Sequence, residues 1–211
     1  IHGEFTAMGY RDTITGTDHI ALIRGEIGDG HDVLVRVHSE CLTGDVMGSL
    51  RCDCRDQLEA ALKAIGQMEK GMVLYLRQEG RGIGLINKIR AYSLQDDGLD
   101  TVQANLALGF RDDERDYAVA AHMLMSLKIE SIQLMTNNPK KISQLTQYGI
   151  QVNGRVPHIM EPNEHNRFYL ETKAAKSGHM IDFHGKEHLP EQDDRPIIEG
   201  MSEAQIGVLN D

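Results

Sequence analysis

A chain of 211 residues is long enough to bury a full core in one large domain, and its net charge of −10 argues against a nucleic-acid polymer as partner. No apolar run is long enough to span a membrane and no signal-type leader is visible. Three cysteines without a disulfide pattern, beside ten methionines, point to a reducing, cytoplasmic setting. The acidity is uneven. From Asp182 onward eight acidic residues face only Lys186 and Arg195, so this stretch carries −6 of the −10. The body is nearly balanced, with a basic island at Arg77, Arg81, Lys88 and Arg90 and a pair at Lys140 and Lys141. A small polyanion is therefore an admissible ligand.

In chain order, residues 4–10, 18–27 and 33–38 read as strands, with turn chemistry at 28–32. The third strand delivers the chain into RVHSECLTGDVMGSLRCDCRDQ, residues 36–57, which holds Cys41, Cys52 and Cys54. Three thiols in so short a polar segment favour a shared metal over a disulfide or inert buried cysteines. Cys52 and Cys54 are too close in sequence for good disulfide geometry, and pairing Cys41 with either strands the third. Thiolates suit zinc, and three protein ligands leave a fourth position open, as catalytic sites do. His38 is a candidate fourth ligand, but on a strand its side chain faces away from that of Cys41. Three thiolates donate heavily, so such a zinc needs hydrogen bonds to its ligands to act as a strong Lewis acid.

From Arg55 the spacing is helical, with Leu58, Ala61, Leu62, Ile65 and Met68 on one face. Residues 72–77 form a continuous apolar strand, buried on both sides. QEGRGIG at 78–84 is a glycine-rich turn before a helix that runs to about Leu94; it reads either as a phosphate cradle or as a flexible tight turn. The nearby cations favour the cradle. Residues 101–110 are a short helix or turn, 111–116 a charged run, 117–127 a buried helix and 131–135 a strand. Asn138 then caps a helix with Pro139 at its first position. Lys140 and Lys141 sit at the unfavourable end of that helix dipole, so either a bound anion compensates them or both reach into solvent. The helix ends at Gly149 and a strand follows. From Pro157 the periodicity fades, and residues 183–211 read as an acidic, flexible tail behind a domain of residues 1–182.

The pieces RVHSECLTGD, SLRCDC, QLEAAL, RQEGRGIGL, NKIRAY, LQDDGLDTV, LGF, DERDY and TNNPKK, between about Arg36 and Pro157, closely resemble GTP cyclohydrolase II, the first enzyme of riboflavin synthesis. The resemblance implies a mixed α/β (α+β) fold, expected as one core with the strands between 4 and 38 forming an antiparallel part. It implies one catalytic zinc per chain on Cys41, Cys52 and Cys54, and magnesium at the triphosphate. It further implies GTP contacts from Arg36, Val37, His38, Ser39, Glu40, Gln57, Glu79, Gly80, Arg81, Thr101, Thr136 and Lys141, with Tyr92 assisting ring opening, Asp113 as general base, Arg115 as nucleophile, and a homodimer. The family reaction releases C8 of guanine as formate, and pyrophosphate, leaving a diaminopyrimidine ribosyl 5′-phosphate. Arg115 is better read as a phosphate clamp, because a guanidinium with a pKa above ~12 is a poor nucleophile. Tyr92 favours the complete reaction over a relative that stops at the formamidopyrimidine, and the open metal position disfavours a non-catalytic zinc and GTP module. Arg55 and Met47 depart from the family pattern without replacing a ligand. Since this domain follows a dihydroxybutanone phosphate synthase domain in many relatives, Ile1 reads as a cut from a longer bifunctional chain.

Overall fold

The computed structural model describes residues 1–180. Six strands form one mixed sheet: β1 (Thr6–Arg11), β2 (Asp18–Arg24), β3 (Val33–Ser39), β4 (Gly71–Leu76), β5 (Ser131–Met135) and β6 (Gln151–Val156), in the spatial order β1-β2-β4-β3-β5-β6. The helices are α1 (Leu42–Asp45), α2 (Cys54–Gly66), α3 (Leu85–Asp96), α4 (Thr101–Ala107), α5 (Ala118–Ser126), α6 (Pro139–Gln147) and α7 (Arg167–Ser177), with a 3₁₀ turn at Glu79–Gly82.

The burial patterns explain the strand order. β4, all apolar after Gly71, is buried at every position but Tyr75, as its unbroken hydrophobic run requires of a strand covered on both faces. β2 alternates buried and half-buried residues and lies one place further out. β1 and β6 are the polar edges. On one face Val35, Val37, Leu74 and Leu134 pack with Tyr117, Ala121 and Leu124 at α5 and with Leu145 of α6. On the other, Val73 and Met135 pack with Ala61 and Ile65 of α2. At about 1.5–3 kcal/mol for each fully buried aliphatic side chain, these two layers hold the central strands in register.

Two expectations need correction. β3 does not belong to the antiparallel part: β1–β2 and β2–β4 are antiparallel, but β3 runs parallel to both β4 and β5. Its link to β4 contains α2, a crossover of the length that parallel neighbours need. After Pro157, where the fading periodicity assigned no element, the structure has α7. The expected tail at 183–211 lies outside the described residues.

Candidate active site

Parallel pairing places the carboxyl ends of β4, β3 and β5 side by side, and in open α/β sheets that edge is where ligands bind. β3 ends in Ser39, Glu40 and Cys41; β4 leads into Gln78 and Glu79; β5 leads into Thr136 and the cap of α6. All of these residues line one pocket, which α3, α4 and α7 close with Lys88, Tyr92, Thr101, Tyr169 and Lys173.

At this pocket the three cysteine sulfurs lie within 4.8 Å of one another. Cys41 and Cys52 are 3.7 Å apart, Sγ to Sγ. Zinc–sulfur bonds of about 2.3 Å at tetrahedral angles require sulfurs about 3.8 Å apart, so the donor set fits a metal of that size. Crowding tells the same way. A hydrogen bond from Cys52, followed by one from Cys54, pulls the Cys41 thiol well below its ordinary pKa. Its contact with Cys41 pushes Cys52 up to about 12, and Cys54 is driven well above the usual thiol for the same reason. Three such groups become thiolates together only around a cation. Gly44 makes the cluster possible: a Cβ there would lie 2.8 Å from Cys52 Sγ and 3.1 Å from Cys41 Sγ.

A buried carboxylate supports the first ligand from beneath. Asp45 accepts from the Cys41 amide (3.0 Å) and from Tyr75 Oη (2.8 Å), and both its oxygens lie 3.1 Å from His38 Nε2. His38, stacked on Tyr75, is therefore a partner of Asp45, and its ring nitrogen is not part of the sulfur cluster. Burial holds its pKa below the ordinary value.

In the remaining lining the cations outnumber the carboxylates, Glu40 and Glu79. Arg36 donates to Met135 O (3.1 Å) and Gln57 Oε1 (2.6 Å), and Gln57 in turn donates to Asp53 (2.5 Å), which stands between two of the cysteines. Lys141 reaches Val37 O at 2.6 Å. Burial pushes Arg36 down to about 10, and burial, then Arg36 and Arg115, hold Lys141 well below an ordinary amine. Cations that depress one another in a closed pocket are stabilised by a polyanion. Arg36 Nε and Arg81 Nη2, both on lining residues, are buried without a hydrogen-bond partner among the described residues and can donate to one; His179 Nδ1 is likewise unpartnered.

Most of the expected site residues meet here. Arg36, His38, Ser39, Glu40, Gln57, Glu79, Gly80, Arg81, Tyr92, Thr101, Arg115, Thr136 and Lys141 line the pocket with the cysteines. Val37 and Asp113 do not: the Val37 side chain is in the core, and Asp113 grips Arg115 from behind with two bonds of 2.8 and 2.6 Å. Burial raises the Asp113 pKa, but Arg115 outweighs it and leaves the carboxyl below the usual range. Arg115 is lowered by burial and raised further by Tyr117 and Asp113, so it stays a firm cation.

Part of the glycine turn's backbone is already engaged within the turn. The Gly80 amide donates to Glu79 Oε1 (2.8 Å), and those of Ile83 and Gly84 donate to carbonyls of the same turn. Of the basic island, Arg81 and Lys88 line the pocket, while Arg77 and Arg90 point outward. The lysine pair divides. Asn138 caps α6 as expected, Lys141 turns inward and Lys140 is exposed. Sequence reasoning missed Tyr169, Lys173 and His179, which come from α7 and its end. Lys176 and Gly178, a basic last turn followed by a glycine, are the helix-stop signal that marks α7 in the sequence.

The family model of GTP cyclohydrolase II matches residues 1–157. A protein named GTP cyclohydrolase-2 from Pseudomonas paraeruginosa is 59% identical over 179 residues, covering 85% of this chain and 87% of its own. One from Pseudomonas putida is 58% identical over 184 residues (87% and 88%), and one from Pseudomonas syringae pv. tomato 56% over 188 residues (89% and 90%).

Proposed function

The chain belongs to the GTP cyclohydrolase II family, and from that premise we propose that it hydrolyses GTP to formate, pyrophosphate and 2,5-diamino-6-ribosylamino-4(3H)-pyrimidinone 5′-phosphate, opening riboflavin synthesis. The observation that carries this reading is the juxtaposition of the three-sulfur cluster with buried Arg36 and Lys141 and half-buried Arg115 around one pocket. Two C–N bonds at C8 and one phosphoanhydride are broken, each with one water.

In this proposal Cys41, Cys52 and Cys54 hold one zinc ion per chain, which supplies a Lewis acid that activates water for attack at C8. Residues 1–182 form the catalytic unit. Arg36, His38, Ser39, Glu40, Gln57, Glu79 to Arg81, Thr101, Thr136 and Lys141 bind GTP, the cations taking the triphosphate together with magnesium. Tyr92 Oη lies 3.3 Å from Thr43 Oγ1, which is itself 3.8 Å from Cys41 Sγ. Burial raises the Tyr92 pKa, so the phenol serves as a proton donor to the opening ring. Arg115, preset by Asp113, clamps the α-phosphate as charge shifts toward departing pyrophosphate. The bidentate bonds to Asp113 keep its charge in place, which supports a clamp over a nucleophile. A homodimer in the cytoplasm completes the reading. Among the described residues no helix is long and apolar enough to cross a membrane. Val46, Met47, Leu50, Ile86 and Ile89 are exposed apolar side chains, of the kind that a second copy would cover.

The test is metal analysis of the purified protein combined with product analysis after incubation with GTP and magnesium. Zinc near one per chain, with equal formate and pyrophosphate, is expected. A formamidopyrimidine accumulating without formate would reject the complete reaction, and a phosphoramidate trapped on Arg115 would replace the clamp by covalent catalysis.

A further inference from the structure

Resting on the zinc reading above, the geometry points to Lys88 as a positioning residue that hydrogen-bonds the Cys41 sulfur and so draws electron density away from the metal. Lys88 stands on the first turn of α3, is only 8% exposed, and places its ammonium 3.1 Å from Cys41 Sγ and 2.8 Å from Glu79 Oε1. Glu79 is itself held against the cysteine segment by a bond that it accepts from the Leu42 amide, next to Cys41, at 2.7 Å. With Gly80 N bonded to its other oxygen, Glu79 is tied to backbone on both sides and fixes the ammonium between two anions. The approach also needs Gly80. At its φ of +62° a Cβ would lie 3.0 Å from Lys88 Cβ, so the glycine serves the lysine stem as well as the turn.

The chemistry gives this contact a purpose. Three thiolates around a divalent cation sum to −1 and weaken its pull on an oxygen of substrate or water. An ammonium N–H on one sulfur withdraws part of that donation, as hydrogen-bonded ligands of other metal sites do. Its other side-chain neighbours among the described residues bring no positive charge: Thr43, neutral and at 3.8 Å, and the two fellow cysteines Cys52 and Cys54. Lys88 thus acts through sulfur and is distinct from the cations that meet the phosphates.

The experiment compares the full chain with Lys88→Met, which keeps length without a donor, and Lys88→Arg, which keeps donors, each loaded with cobalt(II) in place of zinc. A hydrogen bond lowers the energy of the sulfur lone pair, so its loss moves the thiolate-to-cobalt charge-transfer band of Lys88→Met to longer wavelength. Lys88→Arg stays near the parent. In the zinc forms, kcat of Lys88→Met falls about 10- to 100-fold, with KM for GTP little changed and partial recovery in Lys88→Arg. An unmoved band in cobalt-loaded Lys88→Met overturns the inference even if activity falls, since a purely structural loss does not touch the electrons of sulfur. Should the Met side chain disturb folding, Lys88→Leu, which also lacks a donor, gives the same readout. Absence of any thiolate band in the parent protein removes the zinc reading, and this inference with it.

Discussion

At Gly44 the metal reading depends on one missing atom. Gly44→Ala sets a methyl against two sulfurs that cannot retreat without opening the cluster. The added crowding costs about 1–3 kcal/mol of stability, and the expected result is a protein that purifies with well below one zinc per chain, read by elemental analysis. Arg115 is the second informative residue. Arg115→Lys keeps the charge but loses the two-pronged grip on Asp113, so the exchange is not conservative. Turnover should fall roughly 100- to 1000-fold, the usual cost of losing one group that stabilises developing charge, while zinc content stays at the parent level. Steady-state kinetics beside metal analysis separates the two outcomes, and a variant retaining most of its kcat would exclude Arg115 from the chemistry.

α7 is the element whose role depends most on partners far away in sequence. Lys173 crosses from its middle to Asp53, between two cysteines, at 3.2 Å, and its ammonium lies 4.5 Å from the Tyr169 ring centroid. Lys176 and Ser177 bond Asp100 and Asp112, so three contacts strap the helix over the pocket. Lys173→Met leaves the nearly inaccessible Asp53 carboxylate without its cation and should cost about 3–5 kcal/mol; the double variant with Asp53→Asn should cost less than the sum of the singles, as urea denaturation would show. Apart from its stop signal α7 was hard to read because RFYLETKAAKS has no apolar stripe: Leu170 is its one fully buried apolar side chain among those described, and its polar partners lie some 65 to 120 residues upstream. Local signals were read well where the physics is local. The cap of α6 at Asn138 and Pro139, the doubly buried run of β4 and the clustering of three thiols are each written within a dozen or so residues. Whether β3 pairs parallel or antiparallel is not, since that depends on which neighbours α2 and α5 leave open. The lysines show the same limit: sequence grouped Lys88 with phosphate-seeking cations, and only folding reveals its sulfur partner.

For the molecule as a whole, the buried imidazoles set the response to acid. Burial holds His179 down to about 3, and holds His158, with its ring 2.7 Å from Gln57 O, well below its ordinary 6.5. An unfolded chain takes up these protons near 6.5. Between about 6.5 and about 3 it therefore binds more protons than the folded chain, so stability is full above that window and declines as pH falls through it. His179→Gln should flatten the decline, seen as a smaller difference between urea midpoints at pH 7 and pH 5. An unchanged difference would place the acid sensitivity elsewhere.

The two halves of the pocket are closed by loops of very different length. Cys41 and Cys52 are 11 residues apart, whereas Arg36 meets Met135 across 99 and Lys141 meets Val37 across 104. Short loops close early and at small entropic expense, long ones late. During refolding the thiol cage should thus trap its ion while the nucleotide cradle is still unmade, so that cobalt–sulfur absorbance rises before a fluorescent GTP analogue is captured. A newborn chain would then be metallated first and become a guanine reader only when β5 and α6 arrive.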